Sequence, residues 1–147
     1  MLSANQRDEL IERFRVPEPR IALGLALVGI ASASLDVSDG LLADLGHIAE
    51  TSEVRIEVDA ARVPLPPALS PLWPGQMDRI ICATTAGDDY ELAFTTPPDK
   101  RITVAEIARR LGVTVTEIGM VMPGKGIDLL DSAGKSVPVQ RKGYRHF

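Results

Sequence analysis

ASLDVSDGL, residues 33–41, is the stretch that decides how this chain folds. Residues 31–37 predict a strand that ends in polar residues. The residues after this strand place five apolar side chains on one face of a helix: Leu41, Leu42, Leu45, Ile48 and Ala49. Ser38 or Asp39 is the expected N-cap, because both side chains can accept a hydrogen bond from the first helical turn. The stretch therefore predicts a strand that passes directly into a helix.

The rest of the chain alternates helical and extended patterns. Helices are predicted over four further ranges, namely 5–14, 18–28, 78–85 and 104–111. Strands are predicted over five ranges, namely 54–59, 90–95, 114–121, 126–130 and 137–139. A Pro-rich stretch, 64–74, is expected to form a surface loop. This order predicts the α+β class, with a mixed β-sheet packed by helices.

Composition narrows the classes of partner that the chain can have. Its 147 residues suffice for one domain, and 16 basic against 20 acidic residues give a net charge of −4. This balance, together with only six aromatic residues, argues against a nucleic-acid partner. The longest apolar stretch, 21–34, is shorter than the ~20 residues of a membrane span. We therefore expect no membrane segment and a cytoplasmic location.

The first polar group lies at the predicted strand-to-helix junction. In an extended segment Asp36 and Ser38 point to the same side, Asp39 lies in the turn, and Gly40 permits close approach of a ligand. Two neighbouring carboxylates repel each other unless a cation lies between them, and oxygen ligands suit Mg²⁺. The helix N-terminus offers donors to a phosphate. The alternative is that the junction only caps the helix and that Asp36 is solvated.

Two further motifs carry polar and aromatic residues. GDDYEL, residues 87–92, places carboxylates after a helix C-terminus, where the partial negative charge disfavours them unless a cation binds. GYRHF, residues 143–147, ends the chain. Four of the six aromatic residues lie in or beside these motifs and suggest a stacking wall: Tyr90, Phe94, Tyr144 and Phe147. The alternatives are a solvated turn and a loose terminus.

These three motifs, in this order, resemble those of thiamine-monophosphate kinases. The match extends to DLGHI, residues 44–48, and to PEPR, residues 17–20, before an apolar helix. The resemblance implies a domain like the C-terminal domain of aminoimidazole ribonucleotide synthetase-related proteins, over residues 17–147. Residues 1–16 are then expected to be a linker and helix from a missing N-terminal domain.

The resemblance implies transfer of the ATP γ-phosphoryl group to thiamine monophosphate, which gives thiamine diphosphate. Asp36 and Asp39 would be Mg²⁺ ligands, and Ser38 would contact ATP. Asp88, where the family usually has Glu, and Tyr144 would contact the substrate. No catalytic base is predicted, because the second pKa of a phosphate acceptor is about 6 and its oxygen is already largely anionic. His47 is accordingly expected to lie on a helix surface or in the core.

Three expectations follow about the whole enzyme. The family's N-terminal domain supplies most Mg²⁺-binding aspartates, so we expect this chain by itself to be inactive as a kinase. The full enzyme is expected to be a homodimer. The alternatives are another ATP-dependent enzyme of the superfamily, of the selenophosphate synthetase or hydrogenase maturation type, and a non-catalytic binding module.

Overall fold

The computed structural model of the chain describes residues 2–69, 75–140 and 143. Five α-helices are present in these ranges: α1 (Ala4–Arg15), α2 (Ile21–Ala26), α3 (Leu41–Thr51), α4 (Gln76–Thr85) and α5 (Arg101–Leu111). They also contain five strands: β1 (Ala33–Val37), β2 (Arg55–Asp59), β3 (Glu91–Thr95), β4 (Gly119–Met122) and β5 (Gly126–Leu130). None of the helices in the described ranges has the length and apolar character that a membrane crossing requires.

The strands form two sheets. β1 and β3 pair antiparallel in one sheet, and the other has the order β4-β2-β5. The second sheet is mixed, because β2 runs antiparallel to β4 and parallel to β5. Helix α3 contacts β1 as well as β2 and β5 and so joins the sheets. The predicted α+β class is confirmed, whereas the strands divide between two sheets joined by a helix.

The main core lies between α3 and the mixed sheet. The predicted apolar face of α3 is buried at Leu42, Leu45, Ile48 and Ala49. β2 and β5 bury alternate residues against it, at Ile56, Val58, Ile127 and Leu129. A second cluster packs α2 against α5 through Leu23, Leu27, Val104 and Ile107. The buried faces of α3 and β2 were predicted correctly from the helical and alternating patterns, since each depends on burial along a single element.

Several predicted boundaries are wrong. Helix α2 covers only Ile21–Ala26 within the predicted range 18–28, and β4 covers only Gly119–Met122 and not 114–121. No strand forms over 137–139, and an isolated bridge joins Leu130 to the preceding residue, Ser136. A strand needs a neighbour with which to pair as well as residues that favour an extended backbone. In the Pro-rich stretch Pro67–Leu69 form a 3-10 turn, and residues 70–74 lie outside the described residues.

Candidate active site

The junction between β1 and α3 (residues 38–40) does not contain the side-chain N-cap that the sequence predicted. Gly40, and neither Ser38 nor Asp39, is the N-cap, and no side-chain cap hydrogen bond is present there. Gly40 has φ 119° and ψ 143°, a conformation that a residue with a Cβ rarely adopts. The expected cap fails because the left-handed turn places the glycine at the capping position.

Asp44, from the first turn of α3, satisfies the junction instead. Its Oδ2 atom accepts hydrogen bonds from the backbone N–H groups of Ser38, Asp39 and Gly40, at 2.9, 3.0 and 3.1 Å. The residue is only 5% exposed. A buried carboxylate with three donors at a helix N-terminus is a strongly favourable arrangement. Asp44 therefore fixes the backbone that carries Ser38 and Asp39, the residues predicted to contact ATP and Mg²⁺.

The predicted metal ligands lie close to this backbone but in different surroundings. Asp36 is exposed, and its carboxylate has no hydrogen bond or ion pair with any described residue. Asp39 is half-buried, and its carboxylate groups with Asp44 and His47, the three ligand atoms lying within 4.8 Å of one another. His47 itself is exposed on the surface of α3, which is one of the two places expected for it.

Neither Asp44 nor His47 was predicted to be a ligand or a positioning residue. Both fall in DLGHI, residues 44–48, and their spacing of three places them on one side of α3. That spacing was the available signal. Their proximity to Asp39 depends on the left-handed turn at Gly40, which no local pattern predicts.

The second motif lies at the same end of the two-stranded sheet as the junction, because β3 begins opposite the end of β1. The acidic turn (residues 87–90) follows α4, and its Asp88 and Tyr90 N–H groups donate to the carbonyl oxygens of Ser38 and Val37, at 2.9 and 2.8 Å. A Cβ on Gly87 would clash with the Ser38 carbonyl oxygen. Gly87 directly follows Ala86, the C-cap of α4, and it permits close contact between the two backbones.

The acidic turn presents its side chains from an unusual backbone. Asp88 and Tyr90 are both left-handed, with φ 66° and 50°, which is uncommon for residues other than glycine. Both residues are exposed, and the Tyr90 hydroxyl donates to Asp88 Oδ1 at 3.3 Å. The negative charge of Asp88 raises the pKa of the Tyr90 phenol. The turn is therefore ordered through its backbone while the side chains of Asp88 and Tyr90 face solvent.

Asp89 has a different environment from Asp88. Asp89 is exposed as a residue, but desolvation of its carboxyl, together with the charges of Glu91, Asp88 and Asp44, raises the pKa of that carboxyl to about 6, against an opposing effect of Arg13. Desolvation is the largest cause of this shift, and the three neighbouring carboxylates add negative charge where the two motifs meet. Such a concentration favours a cation.

The third motif also begins at the junction. Gly143 is buried, and a Cβ there would lie 2.5 Å from the Asp39 carbonyl oxygen. Tyr144 and Phe147 lie outside the described residues. Of the other two residues of the predicted stacking wall, Tyr90 lies at the site, but Phe94 packs with the α2–α5 cluster. Phe94 is therefore a core residue, and its place in that wall was wrong.

The domain is of the α+β class, and three glycine-containing motifs meet at its β1–α3 junction. This combination matches a known protein family. The family model for the C-terminal domain of AIR synthase related proteins matches residues 3–132. The chain belongs to this family.

Relatives within that class are thiamine-monophosphate kinases, as the motifs predicted. The chain is 40% identical to the kinase of Escherichia coli (strain K12) over 146 residues, which cover 98% of the chain and 44% of that protein. It is 38% identical to the kinase of Caulobacter vibrioides, over 93% of the chain and 40% of the relative. The chain thus spans less than half the length of these relatives.

Solved structures agree with this assignment. The thiamine-monophosphate kinase of Stenotrophomonas maltophilia superposes with a TM-score of 0.82 at 40% identity, over 93% of this chain and 42% of the other. AaThiL complexed with AMPPCP and TMP gives 0.76 at 32% identity, over 99% and 43%. Escherichia coli HypE, a hydrogenase maturation protein, has a TM-score of 0.63 at 18% identity and shares the fold alone.

Proposed function

We propose that this chain provides one part of the active site of an ATP-dependent kinase that converts thiamine monophosphate to thiamine diphosphate. The observation that carries the proposal is the meeting of three distant motifs at the β1–α3 junction. Asp88 donates its N–H to Ser38 O at 2.9 Å, and Gly143 packs against the carbonyl oxygen of Asp39. The names of the relatives and the AMPPCP and TMP of the AaThiL complex support this choice of substrates.

Asp36 and Asp39 are proposed to hold Mg²⁺. Their carboxylate oxygens are the donors that this ion prefers. The Asp36 carboxylate has no partner among the described residues, and Asp39 lies beside Asp44 and His47, so the surroundings fit a divalent cation. When bound, the ion neutralises phosphate charge. Asp44, which already accepts three N–H groups, acts by holding the junction.

Ser38 is proposed to contact ATP, while Asp88 and Tyr144 contact thiamine monophosphate. Asp88 is exposed on a turn whose backbone is fixed to the junction, so its carboxylate is available to a ligand. The side chain is one methylene shorter than the usual Glu. No general base is required, because the acceptor phosphate is already anionic near neutral pH and the reaction depends mainly on positioning.

The rest of the proposal concerns the protein around this site. The relatives carry more than half of their length beyond the part that this chain matches. We propose that an additional domain, like the one in the relatives, completes the site. Residues 1–16 then form the connection to that domain, and residues 17–147 form the domain described above. The complete enzyme is proposed to be a homodimer. A cytoplasmic location, where ATP is abundant, belongs to the same proposal.

The proposal is tested with a fusion of this chain to the complementary part of the E. coli relative. The fusion is expected to form thiamine diphosphate from ATP and thiamine monophosphate, and the 147-residue chain by itself is expected to show no turnover. Asp36→Asn and Asp39→Asn should each lower kcat/KM by about a hundredfold, because each removes charge needed to balance the phosphates.

The matched control is Asp99→Asn. Asp99 is an exposed aspartate whose ion pair among the described residues is with its neighbour Lys100, at 3.5 Å, and its substitution should leave kcat/KM unchanged. A fusion that binds both ligands but has no turnover would favour the binding-module alternative. Turnover by the 147-residue chain would contradict the need for additional residues.

A further inference from the structure

Glu91 is held by two arginines from a different part of the chain. Arg20 donates from Nε to Oε2 at 2.8 Å and from Nη2 to Oε1 at 2.9 Å, so the pair is bidentate. Arg13 adds a hydrogen bond from Nη2 to Oε1 at 2.7 Å. We call these three residues the Glu91 cluster. A bidentate pair fixes direction as well as distance, which a single contact does not.

The cluster is well placed to act on the acidic turn. Glu91 is the first residue of β3 and directly follows Tyr90, and it pairs with Val37 in the register of the two-stranded sheet. Arg13 lies near the end of α1, and Arg20 immediately precedes α2. The two arginines therefore connect the N-terminal segment to the point where the acidic turn enters the sheet.

Charge explains why the turn needs such a connection. Asp88, Asp89 and Glu91 place three carboxylates within four positions, and they repel one another. The hydrogen bonds from Arg20 lower the pKa of Glu91, and Glu91 in turn raises the pKa of Arg20. Both directions indicate that the pair is ionised, so the arginines offset negative charge beside the turn.

The backbone of the turn supplies the second reason. Left-handed φ values at Asp88 and Tyr90 are unfavourable and persist only where the surroundings impose them. One side of the turn is held by hydrogen bonds to the β1–α3 junction. The Glu91 cluster holds the other side, at the residue that follows Tyr90.

We propose that Arg20, assisted by Arg13, is a positioning residue that holds the acidic turn in the conformation that receives the substrate. This inference rests on the proposed function, in which Asp88 contacts thiamine monophosphate. Arg20 acts through Glu91 and the turn, without touching the substrate. Its loss is expected to weaken substrate binding more than ATP binding.

The first experiment uses the chain without any ligand. Arg20→Ala and Glu91→Gln should shift the amide NMR resonances of residues 87–90. They should also accelerate hydrogen exchange of the Tyr90 amide by about tenfold relative to that of Val58 in the other sheet. The exchange ratio separates local loosening of the turn from global unfolding.

Glu117→Gln is the matched control. Arg101 contacts Glu117 with the same bidentate geometry, at 2.8 and 3.0 Å, but this pair joins α5 to the segment before β4. The control should leave the resonances of residues 87–90 and the exchange ratio unchanged. Unchanged turn resonances in Arg20→Ala, or an equal change in Glu117→Gln, would overturn the proposal.

The second experiment measures kinetics in the fusion enzyme. Arg20→Ala should raise KM for thiamine monophosphate about tenfold, with KM for ATP unchanged and a smaller change in kcat. Arg20→Lys should recover only part of the loss, because an ammonium group cannot form the bidentate pair. Equal increases in both KM values would overturn the positioning role. An inactive fusion would count against the proposed function, while the NMR comparison still decides the role of the cluster.

Discussion

The β1–α3 junction and the acidic turn are two acidic, glycine-containing segments that become ordered by different means. The junction is held by Asp44, a buried carboxylate that accepts three backbone N–H groups. The acidic turn keeps its carboxylates nearer the surface and is held by backbone donors on one side and by the Glu91 cluster on the other. Buried backbone donors need a partner, whereas exposed carboxylates can be balanced by arginines without full desolvation. The junction should therefore contribute more to stability and the turn more to ligand binding.

The largest expected effect tests the junction side of this comparison. Asp44→Ala leaves three N–H groups without their acceptor and should lower the free energy of unfolding by about 3 kcal/mol, measured by urea denaturation. Asp99→Ala, at an exposed position, should change it by less than about 0.5 kcal/mol. A similar, small effect for both variants would remove the distinction between the two regions.

A smaller effect is expected where the two regions touch. Gly87→Ala would bring a methyl group against the Ser38 carbonyl oxygen, so the turn must move away from the junction. We expect a loss of about 2 kcal/mol in the free energy of unfolding, together with weaker binding of thiamine monophosphate by the fusion enzyme.

Gly24→Ala is the matched control for this substitution. Gly24 lies inside α2, and a Cβ there meets no atom within 4 Å. Alanine should stabilise the chain by about 0.5 kcal/mol, because it is the better helix former. If Gly87→Ala behaved like Gly24→Ala, the close contact between turn and junction would be contradicted.

The smallest effect concerns pH and the acidic turn. The pKa of Asp89 is raised from 3.8 to about 6, so the folded state holds this proton more tightly than the unfolded state. Its contribution to stability is therefore present at low pH and is lost as the pH rises through about 6. The charged groups involved are Glu91, Asp88, Asp44 and Arg13.

Asp89→Asn should remove this dependence. The variant should melt at a higher temperature than the parent chain at pH 8 and at the same temperature near pH 4, as measured by thermal denaturation at both values. The pH dependence of stability has the opposite sign for Glu91. Its pKa is lowered in the folded state, so its contribution to the free energy of unfolding is lost at acidic pH. A constant difference in melting temperature at all pH values would contradict the role of Asp89.

Much of the fold could be predicted because burial leaves a periodic pattern within single elements. The apolar face of α3 and the alternation of β2 needed no knowledge of their partners, and α5 ends at Gly112 as its pattern indicated. The three motifs likewise predicted the family before any geometry was known. The motifs also provided the candidate site residues Asp36, Ser38, Asp39 and Asp88. Binding of Mg²⁺, ATP and substrate by these residues stays a prediction.

Pairing and capping followed from contacts that lie far apart in the chain. The division into two sheets depends on which strands pair. The cap at Gly40 depends on close contact with the end of α4, because a Cβ on Gly40 would lie 2.9 Å from the carbonyl oxygen of Ala86. In the sequence Asp44 is only a polar residue within a helical pattern, and its role depends on the junction backbone that donates three hydrogen bonds to it.

By itself, the sequence determined the amphipathic elements and the family to which the chain belongs. Only the tertiary structure decided that Asp44 holds the junction, that His47 lies beside Asp39, and that Arg13 and Arg20 meet Glu91. The physical reason is that apolar burial repeats along one element, whereas hydrogen bonds and ion pairs depend on distances between segments that are remote in the chain.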